Sequence, residues 1–263
     1  MIGVLDSGLG GVFCMRALRR ALPLADLTCL CDQAHLPYGD KSPPCLLDCF
    51  FSACRVFCGM GASALLVACG TLSTVVVPTL TDPPLPLFDV VAPTVRRALQ
   101  LTRSGHIAVL ATERTAVSGT FRRALLDAGA RRVTTVPCPA FVPLIEAGLP
   151  LSHPVLRTAV SRALTPLRDT DADVILLGCT HYAYLAPVIE RCFGAPVVDG
   201  GAEAVRRLVS TLPAAQARGR GRDRYLTTAE PGYSHQVLFR TTQDGQVGEG
   251  VKACFVDGTL QAN

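Results

Sequence analysis

The sequence predicts an α/β fold of two similar halves, each a mostly parallel sheet under helices. Three observations predict it. Short apolar runs alternate with longer amphipathic stretches along the 263 residues,. The apolar runs show little in/out alternation, as strands buried on both faces do. Two pairs of these runs also resemble each other. "IGVLDSG" from Ile2 aligns with "IAVLATE" from Ile107, and "ALLVACGT" from Ala64 aligns with "VILLGCTH" from Val174. The spacing agrees as well, with 63 residues from Asp6 to Cys69 and 68 from Ala111 to Cys179,.

Taken in order, "IGVL" (Ile2–Leu5) is a short buried strand and "VFCMRALRRAL" an amphipathic helix that stops before Pro23,. "LTCLCD", "ALLVAC" (Ala64–Cys69) and "LFDVV" (Leu87–Val91) are the next strands. "HIAVLAT", "RVTTVPC", "DVILLGC" and "PVVD" continue the pattern through the second half, with helices between. Ligands in such sheets bind at the C-terminal ends of the strands. Facing halves would therefore line one cleft with Cys69 on one side and Cys179 on the other.

Composition narrows the function. The chain is 49% hydrophobic and 17% charged with a net charge of +4, which describes a globular protein. The densest basic run, "ARGRGRDR" (Ala217–Arg224), has no aromatic interleaving and reads as a solvated linker; no nucleic-acid partner is expected,. "MIGVLDSG" lacks the basic start of a signal peptide, and no apolar run reaches a membrane span,. A cytoplasmic protein without a membrane partner is expected. Its twelve cysteines do not suit an exported disulfide framework,. Cys45, Cys49, Cys54 and Cys58 have helical spacing without CxxC geometry, so they read as small apolar fillers, as does "CLC" at Cys29–Cys31; no metal site is expected,.

The chemistry is expected at Cys69 and Cys179. Each ends a strand, with "GTLS" after Cys69 and "THY" after Cys179 opening a turn into a helix. The N–H groups and partial positive charge of a helix N-terminus are expected to lower a thiol pKa toward neutrality. A thiolate can act as a base and a thiol as an acid. One such cysteine would suggest a nucleophile. Two, one on each half, suggest a base on one face of a carbon and an acid on the other, as inversion of a stereocentre requires. Asp6, Ser7, Asp32, Glu146 and His181 are the polar groups best placed to help, Asp6 equally able to be a helix N-cap,. "DSGLGG" fails the G-x-G-x-x-G template because Phe13 holds the third position, and no P-loop is present,. Neither of the only two lysines, Lys41 and Lys252, is placed for a Schiff base, so a cofactor-free reaction is expected,.

"IGVLDSGLGG", "PYGDKS", "VACGT", "CPAFVPLIEAG" and "LGCTHY" resemble, in order, the signatures of the glutamate racemases, within the cofactor-independent aspartate/glutamate racemase superfamily. The resemblance runs from residue 2 to about 200, and "YLTTAEP" (Tyr225–Pro231) is similar to a late strand of that family. It implies two Rossmann-like domains, 1–95 joined by 208–263 and then 96–207, with the active site between them and a dimeric state. It implies interconversion of L- and D-glutamate for peptidoglycan. By motif, Cys69 and Cys179 are the acid/base pair, with Asp6, His181, Asp32 and Glu146 assisting. Asp6, Ser7, Tyr38, Gly39, Gly70, Thr71, Thr180 and His181 hold the substrate, with Thr112 adding another bond.

The chain departs from that pattern in three places. Gly70 stands where the family has Asn, Cys31-Asp32-Gln33 replaces Gly-Asp-Thr, and Leu72 replaces a smaller residue. Loss of the Asn amide is expected to cost on the order of 1 kcal/mol of substrate binding, with a water filling the gap. The alternatives are a racemase of aspartate or another amino acid, a low-turnover amino-acid-binding homologue marked by Gly70, and a metal or redox protein built on the cysteines.

Overall fold

A computed structural model describes residues 1–213 and 215–229, together with two short strands, Phe255–Val256 and Thr259–Leu260, that pair antiparallel. Glu230 and Pro231 of the late "YLTTAEP" stretch, and most of the segment beyond them, lie outside the described residues.

The first sheet is wholly parallel. β1 (Ile2–Asp6) leads through α1 (Gly10–Ala21) to β2 (Leu27–Cys31), and α2 (Pro43–Gly59) leads to β3 (Ala64–Val67). α3 (Gly70–Val75) then leads to β4 (Leu87–Asp89). α4 (Val91–Leu101) crosses to the second half. There β5 (His106–Ala111), α5 (Glu113–Ser118), α6 (Thr120–Asp127) and β6 (Arg132–Pro137) follow. α7 (Phe141–Glu146), α8 (Pro154–Leu164), β7 (Val174–Leu177), α9 (Ala186–Phe193) and β8 (Val197–Asp199) complete that half. α10 (Gly200–Thr211) returns the chain, and β9 (Asp223–Thr227) joins the first sheet beside β2.

The strand orders are β4-β3-β1-β2-β9 and β6-β5-β7-β8. Read from the other edge, the second sheet repeats the first, and the repeat holds at the level of register. Ile2 pairs with Ala64 in one sheet, and Ile107 pairs with Val174 in the other. These are the residues at which the two sequence repeats align. The expected domain boundaries at 95/96 and 207/208 fall inside α4 and α10, the two helices that carry the chain between the sheets.

Burial explains the continuous apolar strands. Every residue of β1, β2, β3, β5 and β7 is buried, whereas the edge strands β4, β6, β8 and β9 are only partly covered. One face of the first sheet carries Leu5, Leu30, Leu65 and Val67 against Phe50 and Phe57 of α2. Each fully buried phenylalanine contributes roughly 1.5–3 kcal/mol. α2 starts on Ser42, whose side chain accepts the Cys45 N–H, with Pro43 and Pro44 in its first turn,. On the helix Cys49 and Cys54 are buried and Cys58 is exposed, so the four cysteines do not share a face. The other face of the sheet, with Ile2, Val4 and Leu66, belongs to a core continuous with the second half through α1, α4 and α10. "ARGRGRDR" is a mostly exposed stretch whose Arg220 and Arg222 N–H groups donate to Asp26 before it enters β9. Among the described residues no helix is long and apolar enough to cross a membrane.

Candidate active site

The strand ends of both sheets meet over one small cavity. Its wall contains Cys69 from the end of β3, Cys179 from the end of β7, Asp6 and Ser7 from the end of β1, and Thr112 from the end of β5. Tyr38, Gly39, Thr71, Thr180 and His181 complete the polar lining, with Pro37 and Val142 as apolar patches. Both sulfurs are almost buried, Cys69 at 4% and Cys179 at 8% exposure.

Cys69 occupies the N-cap position of α3, and the backbone N–H groups of Leu72 and Thr71 lie near enough to its sulfur to lower the thiol pKa. These donors favour a thiolate, as the sequence suggests. Burial outweighs them, and the charge of Asp6 adds to it, so the Cys69 thiol is pushed well up rather than toward neutrality,. Cys179 precedes a six-residue 3-10 helix, Thr180–Leu185, rather than an α-helix. The turn is held by Tyr182, whose ring meets Phe141 edge-on at 4.9 Å and whose hydroxyl donates to the Cys138 carbonyl at 2.8 Å. That packing brings α7, and with it Glu146, up behind His181.

His181 is the hub of the second side. Nδ1 lies 3.9 Å from Cys179 Sγ and 3.9 Å from Asp6 Oδ2, and Nε2 lies 2.7 Å from Glu146 Oε1. Burial opposes a charged imidazole, but Cys179, Glu146 and Asp6 together outweigh it and push the His181 pKa well up,. Glu146 Oε1 also accepts the Leu9 N–H at 3.0 Å, while its Oε2 is buried without a hydrogen-bond partner. Asp6 accepts the Gly8 N–H at 3.1 Å and the Thr180 hydroxyl at 3.2 Å. Burial raises its pKa, and the nearby His181 charge only partly offsets this.

The "DSGLGG" loop thus serves close approach between the halves. A side chain at Gly8 would run into Glu146 and His181, and one at Gly10 would run into Thr180,.

A model of the Asp/Glu/hydantoin racemases matches residues 40–208. Glutamate racemase from Pseudomonas putida strain GB-1 is 38% identical over 250 residues, covering 90% of this chain and 92% of its own. The chain belongs to the Asp/Glu/hydantoin racemase family. A glutamate racemase isoform from Bacillus anthracis superposes with a TM-score of 0.87 at 26% identity, covering 98% of each chain. The Escherichia coli glutamate racemase, solved with L-glutamate and an activator, gives 0.79 at 26% identity over 99% of this chain and 98% of its own.

Within this racemase fold, three of the expected site residues stand off the cavity wall. Asp32 sits behind Tyr38, accepting a hydrogen bond from its hydroxyl at Oδ2 (2.5 Å) while Oδ1 accepts from Thr228 (2.6 Å) and pairs with His35 (2.9 Å). Glu146 sits behind His181. Gly70 turns its α-carbon to the opposite half: the Gly178 carbonyl oxygen fills the place of a Cβ, so no gap is left for a water.

Asp32, His35 and Cys49 bring donor atoms within 4.8 Å of one another, the trio among the described residues best disposed to hold a metal. Both Asp32 oxygens already carry hydrogen bonds, and burial pushes the Cys49 thiol up to about 12, which favours the protonated form over a ligand thiolate,.

Val142 was beyond reach of pattern reading, since an apolar residue in "CPAFVPLIEAG" carries no mark of its direction. The hydroxyl chain was also hidden. Thr71 meets Thr112 at 3.2 Å and Thr112 donates to Thr115 at 3.0 Å, linking α3 to the second half.

Proposed function

We propose that this protein interconverts L- and D-glutamate without a cofactor, with Cys69 and Cys179 as the two acid/bases. The observation that carries the reading is that these two sulfurs, delivered by equivalent strands of two separate sheets, line one cavity.

The thiolate of one cysteine takes the α-proton, leaving a carbanion at Cα. The thiol of the other returns a proton to the opposite face. Each turnover exchanges the two protonation states, and the reverse reaction restores them. The surroundings of the two thiols differ. Cys69, whose thiol is pushed up by burial and by Asp6, rests as the acid. Cys179 lies 3.9 Å from His181 Nδ1, and the raised pKa of His181 favours an imidazolium able to balance a thiolate when Cys179 acts as the base. Glu146 keeps His181 charged and aimed. Asp6 lies between the two sides and couples them, since its carboxylate faces His181 and opposes a thiolate at Cys69.

The substrate is held by Ser7, Thr71, Thr112 and Thr180 together with the backbone at Tyr38 and Gly39, hydroxyl and N–H donors suited to two carboxylates,. That lining fits the L-glutamate named with the Escherichia coli relative. The reading keeps two functional units, 1–95 with 208–263 and 96–207. It places the activity in the cytoplasm, supplying D-glutamate for peptidoglycan.

The test is a panel of enantiomerically pure amino acids, following optical rotation and α-deuteration in D2O. Glutamate should racemise and exchange. Exchange of aspartate with glutamate left inert would overturn the substrate. Binding of glutamate without exchange would overturn the reaction.

A further inference from the structure

Gly70 opens α3 and directly follows Cys69. A Cβ at this position would overlap the Gly178 carbonyl oxygen, lie 3.0 Å from the Gly178 carbonyl carbon and 3.4 Å from the Cys179 α-carbon. All three nearest atoms are backbone atoms of the opposite half. The contrast with the "DSGLGG" loop is chemical. The second-half atoms that crowd Gly8 and Gly10 belong to the side chains of Glu146, His181 and Thr180, which can rotate away. At Gly70 the obstacle is main chain, anchored by the Gly178 N–H to the Leu110 carbonyl at 2.8 Å. The halves therefore meet here as two rigid surfaces, one residue from each sulfur.

We infer that Gly70 is a positioning residue whose bare α-carbon sets how closely the halves approach and so fixes the gap between Cys69 and Cys179. The inference rests on the two-thiol reading above and deepens it. Both sulfurs must reach the same α-carbon, and a misplacement of about 1 Å can cost ~100-fold in rate. In this chain a side chain at position 70 acts as a wedge, because the Gly178 main chain occupies the room that the Asn of the family would need. Because the new atoms meet the facing half across the cleft, relief comes by opening the cleft rather than by disturbing the packed interior of either half.

The experiment is Gly70→Ala, compared with wild type by steady-state racemisation of glutamate and by iodoacetamide labelling read residue by residue in a mass spectrometer. Expected is a kcat lower by about 100-fold with KM changed by less than about threefold, since the groups that bind substrate remain. Cys69 and Cys179 should label several-fold faster, with Cys58 and Cys192, both exposed in the wild type, as unchanged internal references,. A variant with wild-type kcat and wild-type labelling overturns the inference. So does a variant that fails to fold, because the methyl group meets the facing half and not the interior of its own half. Should wild-type protein leave the α-proton of glutamate untouched, the two-thiol reading has failed, and the labelling ratio still decides whether Gly70 sets the spacing.

Discussion

Glu146 Oε1 lies 2.7 Å from His181 Nε2, and the pair is buried, with His181 2% and Glu146 5% exposed. A carboxylate in that position holds a proton on the imidazole that faces Cys179. The site therefore depends on a residue that never touches the cavity.

The first consequence is a shift in pH dependence. His181 is pushed above its ordinary value, with Glu146 among the causes that overcome burial. Glu146→Gln removes that charge, so His181 loses its proton at lower pH. The alkaline limb of kcat/KM should move down by about one pH unit, with kcat reduced on the order of 10-fold to 100-fold. A pH–rate profile of wild type and variant checks this, and an unmoved alkaline limb would separate Glu146 from His181.

Asp6 offers a trade between stability and activity. Burial raises its folded pKa above the unfolded 3.8, so the ionised carboxylate costs stability at neutral pH. That cost disappears as pH falls through the raised value, where the folded form takes up its proton first. Asp6→Asn should hold or gain up to about 1 kcal/mol at pH 7 while losing about 100-fold in kcat. Urea unfolding at pH 7 and pH 5 reads the sign: the variant's advantage should shrink at the lower pH. A variant less stable than wild type at pH 7, or one whose advantage does not shrink at pH 5, contradicts it.

Tyr38 and Asp32 form a third testable contact. The Tyr38 hydroxyl is buried, its proton held firmly by burial first and then by the Asp32 charge it faces. Tyr38→Phe leaves Asp32 with Thr228 and His35, so the loss should be about 1–3 kcal/mol of unfolding free energy. In a double-mutant cycle with Asp32→Asn, coupling should be at least about 1 kcal/mol. Additive losses would mean that the hydroxyl and the carboxylate act independently.

Much of this architecture could be read from residue order. The duplicated pairs matched β1 with β5 and β3 with β7, and the structure adds that the registers agree as well, Ile2 with Ala64 and Ile107 with Val174. Strand identity survived because buried parallel strands are apolar throughout, a pattern local to each segment. The cysteines, Asp6 and His181 were legible because each follows such a strand. What stayed hidden depends on contact between distant segments. Nothing near Glu146 says that it reaches Leu9, 137 residues away in sequence. Nothing near Cys69 says that burial will defeat two N–H donors. The place of a missing Asn side chain at Gly70 reads as a void until the Gly178 carbonyl is seen to fill it.

Single replacements of the thiols separate the two sides. Cys69→Ser and Cys179→Ser should each lower racemisation by at least about 1,000-fold. Each should still exchange the α-proton of one enantiomer only, the two variants with opposite preference. Stopped assays with each enantiomer in D2O check this, and either variant keeping wild-type racemisation would remove its sulfur from the mechanism.

The most direct measurement of opposed thiols is the isotope content of both enantiomers early in the wild-type reaction in D2O. Starting from L-glutamate, the D-glutamate formed should carry deuterium at Cα while the remaining L-glutamate keeps its hydrogen, because the base that removes the proton is not the acid that returns one. D-glutamate that retains the original hydrogen, or L-glutamate that gains deuterium as fast as product forms, would place one shared group on both faces and contradict the account.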